Sequence, residues 1–113
     1  AAELPAFVRI GRGNAICRGV VFTCDIEVAD FSWLNINVVV GHDARIGSHC
    51  VINPSVNVSG RVHIGDACLI GTGSQILEGL SIHPGSTLGA GAVLTRSTES
   101  AGVYVGTPAR RLK

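Results

Sequence analysis

The sequence predicts an all-β chain wound as a single parallel β-helix of about five coils, and three columns of residues carry that prediction. The first column is apolar. An aliphatic or Phe residue returns at every sixth position from Ile10 to Leu94, through Ile16, Phe22, Val28, Leu34, Val40, Ile46, Ile52, Val58, Ile64, Ile70, Ile76, Ile82 and Leu88. In a chain that is 46% apolar, such an unbroken series arises by chance with a probability on the order of 10⁻⁵. Six is neither the helical period nor the alternation of a lone strand. It is the repeat of short strands wound in triangular coils, where each sixth side chain enters a shared axial core. The second column stands two residues earlier and is often small: Asn14, Ser32, Ala44, Cys50, Cys68, Ser74, Ser86 and Ala92. A narrow interior asks for such residues. The third column follows the apolar residue directly and holds Gly11, Gly41, Gly47, Gly65, Gly71 and Gly89, which predicts corners that need a permissive backbone.

The elements follow in order. Residues 1–9 lead in, with Pro5 marking an irregular start. Residues 10–95 form the β-helix. Three hexads make a coil of about 18 residues, so the period fills about five coils with no inserted loop and no helical segment. The register fails at Ser100, and Arg96-Ser97-Thr98-Glu99-Ser100 is polar and loop-like. Residues 96–113 are therefore a loop and a C-terminal capping tail. The last coil needs a cap, because its edge would otherwise offer unpaired backbone groups.

At 113 residues the chain makes one domain with a thin axial core, so the flanks of the solenoid need covering. A net charge of +1 with no dense Lys/Arg run argues against a nucleic-acid partner, since phosphate binding needs a concentrated basic face. No stretch approaches the ~18 apolar residues of a membrane span, and the first ten residues lack a basic region followed by an apolar one. The expectation is a cytoplasmic protein with no membrane partner. Cys17, Cys24, Cys50 and Cys68 form no CxxC pair and no zinc spacing, so no metal is expected. Cys50 and Cys68, one coil apart in the small column, should stack as buried thiols.

In an unbroken register, residues one coil apart stack on the same corner at about 4.8 Å. His42 then sits beside Gly60. An imidazole nitrogen next to a glycine N–H can pair a general base with an oxyanion donor for acyl transfer. The same arithmetic puts Asn35, Asn53, Gly71 and Gly89 on one corner, with Pro54, Thr72 and Ala90 alongside. Small residues there would leave a shallow groove along the coil axis, able to hold an extended chain such as pantetheine. Asp43 follows His42 directly, and strand neighbours point to opposite faces. It reaches the ring only if the corner turns it back, in which case it fixes the tautomer and raises the basicity. Taken alone, a His-Asp pair at a turn is more often a solvated corner.

Gly41-His42-Asp43-Ala44-Arg45-Ile46-Gly47, Ser59-Gly60-Arg61-Val62-His63-Ile64-Gly65 and Gly102-Val103-Tyr104-Val105-Gly106-Thr107-Pro108-Ala109 together resemble the hexapeptide acyltransferases of left-handed β-helix fold. The sialic-acid O-acetyltransferase and amino-sugar N-acetyltransferase group is the most similar. The resemblance covers nearly the whole chain. It implies a left-handed coil, a homotrimer with acetyl-CoA lying between adjacent subunits, and direct acetyl transfer to a sugar or nucleotide-sugar amine or hydroxyl. His42 matches the general base, Asp43 the acidic residue that supports it, Asn35 an active-site Asn, and Gly60 the backbone donor near the thioester carbonyl. Gly71, Thr72, Gly89 and Ala90 match acetyl-CoA positions on the groove. Val51 stands where relatives often carry a His against the acetyl-CoA, so only an apolar or backbone contact survives there. Arg110, Arg111 and Lys113 are candidates to meet the CoA phosphates. Relatives normally carry an N-terminal α/β domain for the nucleotide sugar. This chain starts where their β-helix does, as expected of a fragment or of a short relative with another acceptor.

Rival readings are weaker on these residues. His49, His63 and His83 occupy different columns and read as surface or interface groups. The γ-type carbonic anhydrases share the fold, but their close pair of His four residues apart is missing. An ice-binding β-helix needs a flat Thr array that Thr23, Thr72, Thr87 and Thr95 do not make. The main alternative is a non-catalytic β-helix scaffold, or an acyltransferase-like fragment without its acceptor domain.

Overall fold

The computed structural model describes residues 7–112; the lead-in residues 1–6, Pro5 among them, and Lys113 lie outside the described residues. Five coils of three short strands follow one another. They are β1 (Val8–Ile10), β2 (Ala15–Ile16) and β3 (Val21–Phe22); β4 (Ile26–Val28), β5 (Trp33–Leu34) and β6 (Val39–Val40); β7 (Arg45–Ile46), β8 (Val51–Ile52) and β9 (Asn57–Val58); β10 (His63–Ile64), β11 (Leu69–Ile70) and β12 (Gln75–Ile76); and β13 (Ser81–Ile82), β14 (Thr87–Leu88) and β15 (Val93–Leu94). Two more strands, β16 (Val103–Val105) and β17 (Arg110–Arg111), close the C-terminal end. Each coil lays its strands on three parallel sheets, the first running β1-β4-β7-β10-β13, the second β2-β5-β8-β11-β14-β16 and the third β3-β6-β9-β12-β15. Partners such as Arg45 and His63, or Val51 and Leu69, are one coil apart throughout. The result is a rod of 48 × 24 × 22 Å.

One residue in each hexad turns the corner by adopting a left-handed backbone. It is Asp25, Phe31, Asn37, Asp43, His49, Ser55, Arg61 or Ala67 in the middle coils, with φ of 56–62°, and glycine at both ends of the rod. None of these side chains is β-branched, the class for which this conformation costs most. The glycine column expected to supply the permissive backbone has a different role. None of Gly11, Gly41, Gly47, Gly65, Gly71 and Gly89 has a positive φ. A Cβ on Gly41 would stand 2.5 Å from the nitrogen of Gly60, and one on Gly71 2.5 Å from that of Ala90. These glycines let successive coils approach; the turning residue lies two positions later.

The apolar column fills the axis, fully or almost fully buried from Val28 to Leu94. The second inward column is not uniformly small. Ile26, Val38, Val56 and Val62 in it are wholly buried. Small polar residues gather at the corner leading into the second sheet, where Asn14, Ser32, Cys50, Cys68 and Ser86 stack. Each of the first four donates to the carbonyl fifteen residues on: Asn14 Nδ2 to Ala29, Ser32 Oγ to Gly47, Cys50 Sγ to Gly65 and Cys68 Sγ to His83. These side chains give the carbonyls of the next corner a donor from within the same chain. The Cys68 sulfur and burial push the Cys50 thiol up, so it stays protonated as a small filler.

The polar segment after Leu94 is a cap. Ser97 Oγ accepts from the Ser81 N–H and Thr98 Oγ1 from the His83 N–H, at 2.9 and 2.7 Å. Hydroxyl groups thus take the place of the next strand. The Tyr104 hydroxyl donates to the Ser100 carbonyl, β16 pairs parallel with β14, and β17 folds back antiparallel on β16.

Candidate active site

His42 and Asp43 occupy the corner between β6 and β7. The backbone clamps them from both sides, since Asp43 N–H donates to the Cys24 carbonyl at 3.1 Å and the His42 carbonyl accepts from the Arg61 N–H at 2.7 Å. Asp43 is the turning residue, with φ of 60°. That turn brings its carboxylate round to the imidazole, with Nδ1 and Oδ2 3.0 Å apart. The hydrogen bond from His42 holds the Asp43 carboxyl below its ordinary range; desolvation opposes it, and the charges of His42, Arg45 and Arg61 assist. Both side chains are about half exposed, 42% and 50%, so a bound molecule can reach them.

The other ring nitrogen, Nε2, stands over Gly60, and a Cβ on that glycine would overlap the ring. The direction of the lean is unusual in this rod. Asp30, Phe31, Asn37 and Asp66 each lie back over a glycine of the preceding coil, whereas His42 leans forward onto the following one. Gly60 is buried beneath the ring, and its N–H has no hydrogen-bond partner among the described residues. An imidazole anchored at Nδ1 by a carboxylate and open at Nε2 can accept a proton there.

The remaining expected site residues lie elsewhere. Asn35, Gly71, Thr72, Gly89 and Ala90 stack on the corner between the second and third sheets, a different edge of the prism, and Val51 faces outward on the second sheet. Thr72 and Ala90 are exposed. Asn35 Oδ1 accepts from the Ile36 N–H at 2.8 Å, which leaves its amide nitrogen for another partner. One chain therefore joins His42, Asp43 and Gly60 but does not join them to the groove residues. Two neighbours of the dyad were missed by the sequence reading: Arg61, one coil after Asp43, and Glu78, one coil after Gly60, which form an ion pair. The one-coil arithmetic that found Gly60 reaches both. Among the described residues no three His, Cys, Asp or Glu side chains are placed to hold a metal ion.

Residues 61–96 match the family model described as bacterial transferase hexapeptide (six repeats). The structure of PerB from Caulobacter crescentus, in complex with CoA and GDP-perosamine, superposes with a TM-score of 0.92 at 30% identity, over 96% of this chain and 54% of that one. The chain is a hexapeptide-repeat protein, and its likeness to PerB runs along nearly its whole length. WeeI from Acinetobacter baumannii AYE gives a TM-score of 0.91 at 36% identity over 95% of this chain and 53% of its own. Among curated hexapeptide-repeat relatives, the UDP-3-O-acylglucosamine N-acyltransferase of Caulobacter sp. (strain K31) is 30% identical over 94% of this chain and 31% of its own length. This hexapeptide-repeat chain thus spans about a third of that relative and about half of the two solved ones.

Proposed function

We propose that the chain is the catalytic β-helix of an acyltransferase that moves the acetyl group of acetyl-CoA to an amine or hydroxyl of a sugar or nucleotide sugar. The observation that carries this reading is the His42–Asp43 dyad at an exposed corner, with Nδ1 anchored and Nε2 open. The ligands of PerB, CoA and GDP-perosamine, and the N-acyltransferase name of the curated relative support the donor and the acceptor class. In the proposed reaction the acceptor nitrogen or oxygen attacks the thioester carbonyl while His42 Nε2 takes its proton. The oxyanion collapses, the C–S bond breaks, and the imidazolium returns the proton to the leaving CoA sulfur. Asp43 stabilises the imidazolium, and the Gly60 N–H, without a partner among the described residues, is the donor offered to the oxyanion. Val51, Gly71, Thr72, Gly89 and Ala90 line the donor groove, Asn35 lies toward the acceptor, and Arg110 and Arg111 are within the tail that would meet CoA phosphate. Because dyad and groove occupy different edges of one prism, a homotrimer, in which one copy's corner faces its neighbour's groove, completes the site. A cytoplasmic location, where acetyl-CoA is at hand, is part of this proposal.

The test is calorimetric titration with acetyl-CoA, followed by an acetyl-transfer assay on nucleotide-linked amino sugars. Binding near one CoA per chain is expected, and His42→Ala should keep that binding while lowering transfer by about 10²–10⁴-fold. Transfer that survives this substitution refutes the mechanism. Acetyl-CoA binding without transfer to any such acceptor favours the scaffold reading.

A further inference from the structure

The corner that holds His42 carries two arginines, and each has its own carboxylate. Arg45, on β7, donates to the carbonyls of Asp25 and Ala44 and pairs with Glu27 at 3.6 Å. Arg61, the turning residue one coil after Asp43, hydrogen-bonds through its guanidinium to Glu78. The Arg61 backbone is tied to the His42 carbonyl, so this pair is fixed to the dyad. Glu78 stands in the column of His42 and Gly60, one coil beyond the glycine. Cys24 and Asp25 flank the dyad from the preceding coil, and Arg96 ends the column. Among the described residues Asp25 and Arg96 form no ion pair, so with a neutral imidazole the Asp43 and Asp25 carboxylates and the Arg96 guanidinium are the charges around the dyad that no side chain of opposite sign compensates.

We propose that Glu78 is a positioning residue for this site: by holding Arg61 it cancels a positive charge that would otherwise weaken His42 as a base. The argument is electrostatic. When His42 takes a proton it becomes a cation, and an unpaired guanidinium one coil away opposes that step. Arg61 alone would support the Asp43 carboxylate and oppose the imidazolium together. With Glu78 in place the pair is a dipole, its positive end belonging to the column of Asp43 and its negative end to that of His42. Removing either partner should therefore move the His42 titration, and in opposite directions. Loss of packing moves both variants alike.

This inference rests on His42 as the base, so its test reads the imidazole directly as well as the rate. The His42 ring proton is assigned in the NMR spectrum by its loss in His42→Ala and followed against pH in the full chain. Glu78→Gln should lower the midpoint by roughly 0.3–0.6 pH unit, and Arg61→Gln should raise it by a similar amount. The double variant should return close to the parent value, and added salt should shrink both single shifts. The acid limb of kcat/KM should follow the same order. Shifts of both variants in one direction, or no shift in a variant whose thermal unfolding matches the parent, overturn the proposal. Opposite shifts in a protein with no transferase activity uphold the role of Glu78 and count against the acyltransferase reading alone.

Discussion

In the proposed reaction Asp43 is what sets His42 apart from a surface histidine, and its backbone decides what Asp43 does. On a strand the two side chains would diverge; a φ of 60° swings the carboxylate to Nδ1. Sequence reasoning reached both residues and the position of Gly60 through the one-coil offset, but it could not tell which side of the corner Asp43 takes. Glycines mark the turning column at both ends of the rod, but in the middle coils residue type does not reveal it, since Phe31, Asp43, His49, Arg61 and Ala67 share nothing but the absence of a branched Cβ. Asp43→Asn should leave the coil intact while lowering kcat about 10²-fold, because the ring loses its charged anchor. Its stability should also change with pH in a defined sense. The folded carboxyl lies below its ordinary range, chiefly through the hydrogen bond from His42. The stability it contributes is therefore fully present above the unfolded value near pH 4, and is lost as pH falls through the lower folded value. In urea unfolding followed across pH, the gap between parent and Asp43→Asn should close in acid. A gap that persists or widens there would show that the carboxylate is not held by His42.

At the scale of the strand and its corner, the hexad period was legible because one apolar column has to fill one axis. What the period could not reveal is how unequal the three corners are. Small residues looked like the response to a narrow interior, yet Val38, Val56 and Val62 fit in the same column without exposure. The small polar residues are needed for their hydrogen bonds: most gather at the corner leading into the second sheet, and Ser74, at the corner leading into the third, donates in the same way to the Gly89 carbonyl at 2.9 Å. Ser32 Oγ donates to the Gly47 carbonyl and accepts from the Cys50 N–H, at 2.7 and 3.0 Å. Ser86 occupies the same position two coils beyond Cys50, but its hydroxyl is buried without a partner. The carbonyl fifteen residues on belongs to Ala101, after the register has ended, and it accepts from Arg111 instead. The same substitution should therefore have two outcomes. Ser32→Ala leaves the Gly47 carbonyl and the buried Cys50 N–H unpaired and should cost about 1–3 kcal/mol in chemical unfolding. Ser86→Ala removes an unsatisfied hydroxyl and should be neutral or stabilising. Equal losses would mean that volume, and not hydrogen bonding, selects this column.

The three outer faces of the rod differ in chemistry, and that difference bears on assembly. Outward positions on the first sheet are Arg9, Glu27, Arg45, His63 and Ser81, a solvated and charge-paired strip. On the second they are Ala15, Trp33, Val51, Leu69 and Thr87, with Trp33 and Leu69 exposed by 49% and 43%. A row of this kind on a rod wider than its own core is a surface to be covered, and the second sheet leads straight to the corner of Gly71, Thr72, Gly89 and Ala90. If the copies of the proposed homotrimer meet along this sheet, burying Trp33 both holds the assembly and brings a neighbour's His42 edge to the groove. Trp33→Glu should then convert a particle of three times the 11.7 kDa chain mass to single chains in light scattering. Its β-sheet circular dichroism should remain, because Trp33 points away from the axis. Acetyl-CoA binding should be lost with the assembly, although Trp33 belongs to neither the dyad nor the groove. A Trp33→Glu protein that keeps the parent's mass would exclude the second sheet as the interface. One that becomes monomeric yet binds acetyl-CoA undiminished would place the whole donor site within a single chain.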